Sequence, residues 1–291
     1  MKSFRERLAE GVIVGDGAWG TMLADRGLPA GDAPERWTLD RPDVITEIAR
    51  AYADAGAELI TTNTFGASPM RLAQHQLAEQ CDAINRRGVE LVRNAAAGRA
   101  YVSASIGPVG RLLAPLGDAH PDEVARGFEE QARALVAAGA DVICIETMTD
   151  IEEAKLAVRA VRRASADVPI IATMTFEMTP RGPFTIMGVS VAEAATQLPL
   201  AGADVVGANC GAGVEEMWSV AEAFRACATT PVAIQPNAGL PVRREGRLVY
   251  PDSVDDFADA AAVLRGLGVR VIGGCCGTTP AHIRATRERL R

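Results

Sequence analysis

The sequence predicts a single-domain (β/α)8 barrel spanning residues 1–291. A weak internal repeat is the first observation that points there. Ala55-Gly56-Ala57-Glu58-Leu59-Ile60-Thr61 recurs as Ala138-Gly139-Ala140-Asp141-Val142-Ile143-Cys144 and as Ala201-Gly202-Ala203-Asp204-Val205-Val206-Gly207. A looser copy is Leu267-Gly268-Val269-Arg270-Val271-Ile272-Gly273. Each copy follows an amphipathic stretch rich in Ala and Arg. Glycine at a helix end, an acidic residue and a β-branched run mark the entry into a buried parallel strand. The second observation is four further apolar runs, Gly11–Val14, Tyr101–Ser105, Pro169–Thr175 and Pro231–Gln235. Eight β/α units in a chain of this length suit a barrel. A doubly wound open sheet shows the same alternation. The third observation favours the barrel: no Gly-x-Gly-x-x-Gly fingerprint opens the first helix. No linker, charge block or low-complexity segment divides the chain.

Active-site residues of a barrel lie at the C-terminal ends of its strands. Strand 1 runs into Asp16-Gly17-Ala18-Trp19-Gly20-Thr21, and strand 2 into Thr61-Thr62-Asn63-Thr64-Phe65-Gly66. Strand 3 leads to Ser105-Ile106-Gly107-Pro108, strand 4 to Glu146-Thr147, and strand 5 to Met174-Thr175-Phe176-Glu177. Strand 6 ends in Asn209-Cys210, strand 7 in Gln235-Pro236-Asn237-Ala238-Gly239, and strand 8 in Gly273-Gly274-Cys275-Cys276-Gly277.

Composition narrows the function classes. A net charge of -7 offers no basic surface, so no nucleic-acid partner is expected. No apolar run approaches the roughly 20 residues needed to cross a bilayer, and the N-terminus lacks the apolar core of a secretory signal. The expected location is the cytoplasm, with the six cysteines reduced and no membrane partner.

The adjacent Cys275 and Cys276 carry the strongest chemical signal. Neighbouring side chains of an extended strand point to opposite faces. Two thiolates reach one metal ion only where the backbone bends sharply. Gly273, Gly274 and Gly277 are expected to supply that bend by reaching φ > 0. Cys210 falls on the same barrel face. Three thiolates form an incomplete tetrahedral Zn²⁺ site with one position open for chemistry. The alternatives fit less well. Buried cysteines are common small apolar residues, but then the glycine setting is coincidence. A vicinal redox disulfide leaves Cys210 unexplained. Cys81, Cys144 and Cys227 read as core residues.

These end-of-strand motifs resemble the homocysteine S-methyltransferase family. The likeness spans nearly the whole chain and rests on Asp16-Gly17-Ala18, Thr62–Gly66, Gly107-Pro108, Glu146-Thr147, Asn209-Cys210, Asn237-Ala238-Gly239 and Gly273–Gly277. Asn237–Pro241, Val249-Tyr250-Pro251 and Gly277–Pro280 look most like the homocysteine-binding module of cobalamin-dependent methionine synthase. The resemblance implies a zinc barrel that activates homocysteine and forms methionine, with Cys210, Cys275 and Cys276 as metal ligands and catalytic residues. Asp16 and Glu146 are placed to accept hydrogen bonds from the substrate ammonium. Backbone N–H groups around Gly17 and Ala18, or near Gly107, are candidates for its carboxylate. Thr62 and Asn63 offer neutral polar contacts. Asn237 could orient a ligand or occupy the fourth zinc position before substrate arrives.

The chain ends soon after the zinc strand, at Arg291. The methionine synthase likeness therefore implies methylcobalamin delivered on a separate corrinoid-binding protein, with a methyltetrahydrofolate-binding protein as a further partner of a split enzyme. The alternative is a stand-alone enzyme using S-methylmethionine or betaine. A trimethylammonium donor needs an aromatic cage. Aromatic residues make up only 4% of the chain, with Trp19, Phe65 and Tyr101 expected near the mouth. A reading of another class is a non-catalytic zinc- or thiol-binding barrel, which has no use for amino-acid contacts at Asp16 and Glu146.

Overall fold

The computed structural model describes residues 1–244 and 247–291. Eight parallel strands form its centre: β1 (Ile13–Val14), β2 (Leu59–Thr61), β3 (Tyr101–Ile106), β4 (Val142–Met148), β5 (Ile170–Met174), β6 (Val205–Asn209), β7 (Val232–Gln235) and β8 (Val271–Ile272). Each strand pairs with its neighbours in sequence, and β8 pairs back onto β1. Between β1 and β2, Glu58 N–H donates to Val14 O at 2.7 Å and Asp16 N–H to Leu59 O at 2.9 Å. The sheet thus closes on itself, which rules out the open-sheet alternative. Eight helices alternate with the strands: Pro42–Ala55, Cys81–Ala96, Pro121–Ala137, Ile151–Ala164, Val191–Ala201, Val214–Cys227, Val254–Gly266 and Pro280–Arg289.

The repeat has a physical basis at each junction. Its glycines stop the helices in left-handed or related conformations, with φ of 94° at Gly56, 88° at Gly139, 120° at Gly202 and 82° at Gly268. Its acidic residues then hold the neighbouring strand. Asp141 accepts from Val102 N–H at 2.8 Å and Asp204 from Ile170 N–H at 2.8 Å. Arg93 and Arg162, from the preceding helices, pair with those same carboxylates.

The base of the barrel is plugged. Ser3 and Glu6 form a capping box that starts the helix Phe4–Glu10. Phe4 and Leu8 of this helix pack among Ile13, Leu59, Val142, Ile171, Val205 and Val271 inside the barrel. Tyr101 lies there too, edge-on to Phe4 at 5.8 Å, with its hydroxyl donating to Lys2 O. Tyr101 is therefore at the end opposite the mouth, because β3 begins with it, and it can form no part of an aromatic cage there. Cys81 and Cys144 are buried as expected, whereas Cys227 is exposed at a helix end. His282 is buried and helps cap the last helix.

Two hairpins project from the C-terminal side, Glu177–Thr179 with Gly182–Phe184 after β5, and Val242–Arg244 with Arg247–Val249 after β7. No helix among the described residues is long and apolar enough to cross a membrane.

The plug yields a stability prediction. Phe4→Ala should cost about 3 kcal/mol in urea denaturation. It should leave metal affinity at the far end unchanged. A cost under about 0.5 kcal/mol would mean that the plug contributes little to the barrel.

Candidate metal centre and substrate cavity

Both cysteine turns are anchored to the end of β7, which lies between β6 and β8. Cys210 N–H donates to Gln235 O at 3.1 Å, and Cys275 N–H to Pro236 O at 2.8 Å. Ala238 N–H donates to Cys276 O at 3.0 Å. Cys210 adopts φ 60° and Gly211 φ 71°, a left-handed pair that turns the chain back toward the barrel axis. Such a φ is uncommon for a residue with a side chain.

The glycines of the second turn differ from expectation. Only Gly277 has positive φ, at 81°. Gly273 and Gly274 are required by crowding instead. A Cβ on Gly274 would stand 2.4 Å from Thr278 Oγ1, and one on Gly273 would stand 3.0 Å from Asp16 O. Thr278 itself joins the β8 and β1 loops, donating to Cys275 O at 2.7 Å and accepting from Ala18 N–H at 3.0 Å.

The three sulfurs lie within 4.8 Å of one another, with Cys210 and Cys276 4.0 Å apart. A tetrahedral site with bonds of about 2.3 Å needs sulfurs about 3.8 Å apart. The donor set therefore fits a thiophilic metal ion with little rearrangement. In the protein alone, the thiols of Cys275 and Cys276 donate toward Cys210 and pull its pKa down. The thiols of Cys275 and Cys276 are pushed up in turn. One thiolate among three thiols is what a metal would convert to three.

The sulfurs face a cavity of about 260 Å³ at the barrel mouth. Asp16, Gly17, Ala18, Thr62, Asn63, Glu146 and the three cysteines all line it. Asn237 does not; it is buried, and its N–H donates to Ala212 O, in the turn after Cys210, at 3.2 Å. Its Oδ1 has no partner among the described residues.

The cavity is acidic. Asp16 accepts from Trp19 Nε1 at 3.0 Å, Thr61 N–H at 2.8 Å and Thr61 Oγ1 at 2.9 Å. Burial still pushes its pKa up to about 6. Glu146 accepts from Ser105 Oγ, and burial pushes it up to about 7, with the charges of Asp16 and Cys210 adding to the effect. No lysine, arginine or histidine lines the cavity among the described residues. Asp16 and Glu146 are therefore not structural ion-pair partners of a basic side chain. An ammonium group or a metal cation suits this field, and a carboxylate must rely on neutral donors.

The candidate donors and polar contacts differ in availability. Gly107 N–H is engaged by Phe65 O at 2.7 Å, and Ala18 N–H by Thr278. Gly17 N–H makes no hydrogen bond among the described residues. Thr62 Oγ1 bonds Thr64 Oγ1 and accepts from Ser105 N–H. Asn63 Nδ2 donates to Pro34 O and Thr38 Oγ1, fixing the loop that roofs the cavity.

Two residues near the site are not among the expected site residues, although Tyr250 falls in one of the motifs that carry the likeness. Glu35 lies within that roofing loop, lines the cavity and accepts from Gly66 N–H at 2.7 Å. Tyr250 packs its ring over Gly277, next to Cys276, where a Cβ would stand 2.2 Å from Tyr250 Cγ.

Comparison with known proteins is decisive about ancestry. The homocysteine S-methyltransferase family model matches residues 13–290. The chain belongs to this family. It is 35% identical over 296 residues to methionine synthase of Mycobacterium leprae (strain TN), covering 96% of this chain and 24% of that protein. Methionine synthase of Mycobacterium tuberculosis (strain ATCC 25618 / H37Rv) is also 35% identical, over 294 residues, with 95% and 24% covered. The chain thus spans about a quarter of the length of these relatives. Among solved structures, the metallated form of the homocysteine methyltransferase MmuM from Escherichia coli aligns with a TM-score of 0.79 at 25% identity, covering 96% of each chain.

The raised pKa of Glu146 has a consequence for stability in the metal-free protein. Its folded value lies above that of an unfolded carboxyl, so the folded state holds the extra proton between about pH 4.5 and 7. Stability contributed by this group therefore falls as pH rises through that window. Glu146→Gln should be more stable than the parent at pH 8, by up to about 3 kcal/mol, and indistinguishable near pH 4. A stability difference that does not change with pH would show that Glu146 is not penalised by burial.

Proposed function

We propose that this chain is a zinc-dependent homocysteine S-methyltransferase that forms methionine, with Cys210, Cys275 and Cys276 as the metal ligands. The observation that carries this reading is the meeting of three sulfurs with the buried carboxylates of Asp16 and Glu146 on one small cavity. Zinc bound there would supply a Lewis acid that keeps the substrate thiol as thiolate at neutral pH. Free alkyl thiols, with pKa near 8.5, are mostly protonated there.

The chain's own residues account for the rest of the substrate. Asp16 and Glu146 hold the ammonium, whose charge relieves their burial. Gly17 N–H is the available donor for the carboxylate, while Ala18 holds the turn that presents it. Thr62 and Asn63 shape the walls through their hydrogen bonds to the scaffold. Asn237 ties its loop to the turn after Cys210 through its N–H bond to Ala212 O. Family membership supports the same assignment. A non-catalytic thiol- or zinc-binding barrel is disfavoured, because it leaves the two carboxylates without a purpose.

For the donor, we propose methylcobalamin carried by a separate corrinoid protein, which a methyltetrahydrofolate-binding protein would remethylate. Two observations support this. The relatives at 35% identity are methionine synthases of about four times the length. The cavity, at about 260 Å³, accommodates an amino acid but not a corrin ring, so such a donor would approach from outside.

A second reading has its own support. MmuM, a homocysteine methyltransferase, has the same barrel at 25% identity, and the second reading is a stand-alone enzyme with a small onium donor such as S-methylmethionine. Betaine is less favoured, since Trp19 and Phe65 are the aromatic residues lining the cavity among those described.

Two experiments test the proposal. Methionine formation from homocysteine should be measured in parallel with methylcobalamin, methyltetrahydrofolate, S-methylmethionine and betaine. Turnover with methylcobalamin alone supports the corrinoid reading, turnover with an onium donor supports the second, and no methionine from any donor rejects the activity. Separately, Cys210→Ala, Cys275→Ala and Cys276→Ala should each abolish stoichiometric zinc on metal analysis. Any one of them that keeps full zinc and activity is not a required ligand.

A further inference from the structure

Asn209 is fully buried at the end of β6, immediately before Cys210. Its side-chain amide uses all of its hydrogen-bonding capacity. Oδ1 accepts from Thr147 N–H at 2.8 Å and from Thr173 Oγ1 at 2.7 Å. Nδ2 donates to Thr147 Oγ1 at 2.8 Å and points its other hydrogen at Cys275 Sγ, 3.9 Å away. The orientation of the amide follows from chemistry. A backbone N–H can only donate, so the atom facing Thr147 N must be the oxygen.

The partner of this amide is an irregular piece of β4. The register with β5 shifts between Ile145 and Met148, so that Glu146 and Thr147 together stand where one residue would. This bulge turns two consecutive residues onto the cavity, and both line it. Thr147 pays the conformational cost, with φ 61° on a β-branched residue. Strain of this kind persists only where the surroundings enforce it. Here the enforcement is Asn209, which holds both the N–H and the hydroxyl of Thr147.

We propose that Asn209 is a positioning residue that fixes, through one amide, the Glu146–Thr147 bulge on one side and the Cys275 sulfur on the other. It thereby sets the spacing between the carboxylate that receives the substrate ammonium and the metal that receives its sulfur. Its N–H also gives Cys275 a hydrogen-bond donor outside the metal's own ligands, which strengthens and orients that ligand. The assignment rests on the zinc–homocysteine reading of the site.

The test uses the full chain and two binding readouts that need no turnover. Zinc affinity is measured by competition with a chromophoric chelator, and homocysteine affinity by calorimetry on protein saturated with zinc. Asn209→Ala should weaken both, each by roughly 10-fold or more. Asn209→Asp keeps the size and the acceptor but loses both N–H donors; it should lose zinc affinity at least as strongly and stands in if the alanine variant does not fold. Thr147→Gly relieves the strain that Asn209 enforces. Combined with Asn209→Ala, it should recover homocysteine affinity but not zinc affinity, which a merely destabilised barrel would not do. Zinc and homocysteine affinities within twofold of the parent in the Asn209 variants overturn the proposal. So does loss of zinc affinity alone, with homocysteine affinity intact. Parent protein that binds zinc but not homocysteine rejects the functional reading instead, and the proposed link falls with it.

Discussion

The site depends on the main-chain groups at the end of β7. Three cysteines from β6 and β8 approach one point because Gln235 O and Pro236 O accept from Cys210 N–H and Cys275 N–H, and Ala238 N–H donates to Cys276 O. A strand end has free backbone groups by construction, since the sheet stops there. In this barrel those groups are spent on holding two turns, one on each side. The sulfurs inherit the rigidity of the sheet although both turns are loops. Pro236 fits this arrangement, because its carbonyl is used and its missing N–H is not.

A second constraint is the imbalance of charge. Asp16 and Glu146 are buried beside thiols with no basic side chain on the cavity wall. Buried carboxylates without a cation are costly to fold around. The unliganded cavity is thus held in a state that only incoming positive charge relieves. On the proposed function, metal and ammonium would each supply part of it, from different sides of the cavity. On that same reading, a thiol that carries an ammonium would gain from the carboxylates, and a simple thiol would not.

Much of this was legible in the chain before any coordinates. All eight strands, their order and the face carrying Cys210, Cys275 and Cys276 follow from the repeat and from glycine punctuation. The positions of Asp16 and Glu146 follow from strand ends alone. Other features depend on tertiary geometry that periodicity does not encode. Tyr101 is an exception: it opens the run Tyr101–Ser105 read as a strand, so its place at the base was already implied and its expected place near the mouth was inconsistent with that run. Gly273 is crowded by Asp16 O across the barrel seam, and Gly274 by Thr278, which folds back over it from four residues on. The bulge at Glu146 and Thr147 leaves no trace in the β-branched pattern of β4. Glu35 lies in a long loop whose path over the cavity is set by Asn63, far away in sequence.

The plug formed by Phe4 and Leu8 has a kinetic corollary on the proposed function. A vessel sealed at its base has a single door. Whatever enters second stands between the first arrival and solvent. The amino acid, being small and deep, must load before any bulky methyl carrier covers the mouth. The methylated product can then depart only after that carrier has withdrawn. Ordered turnover would thus be a property of the barrel's plumbing rather than of any residue that touches the substrate.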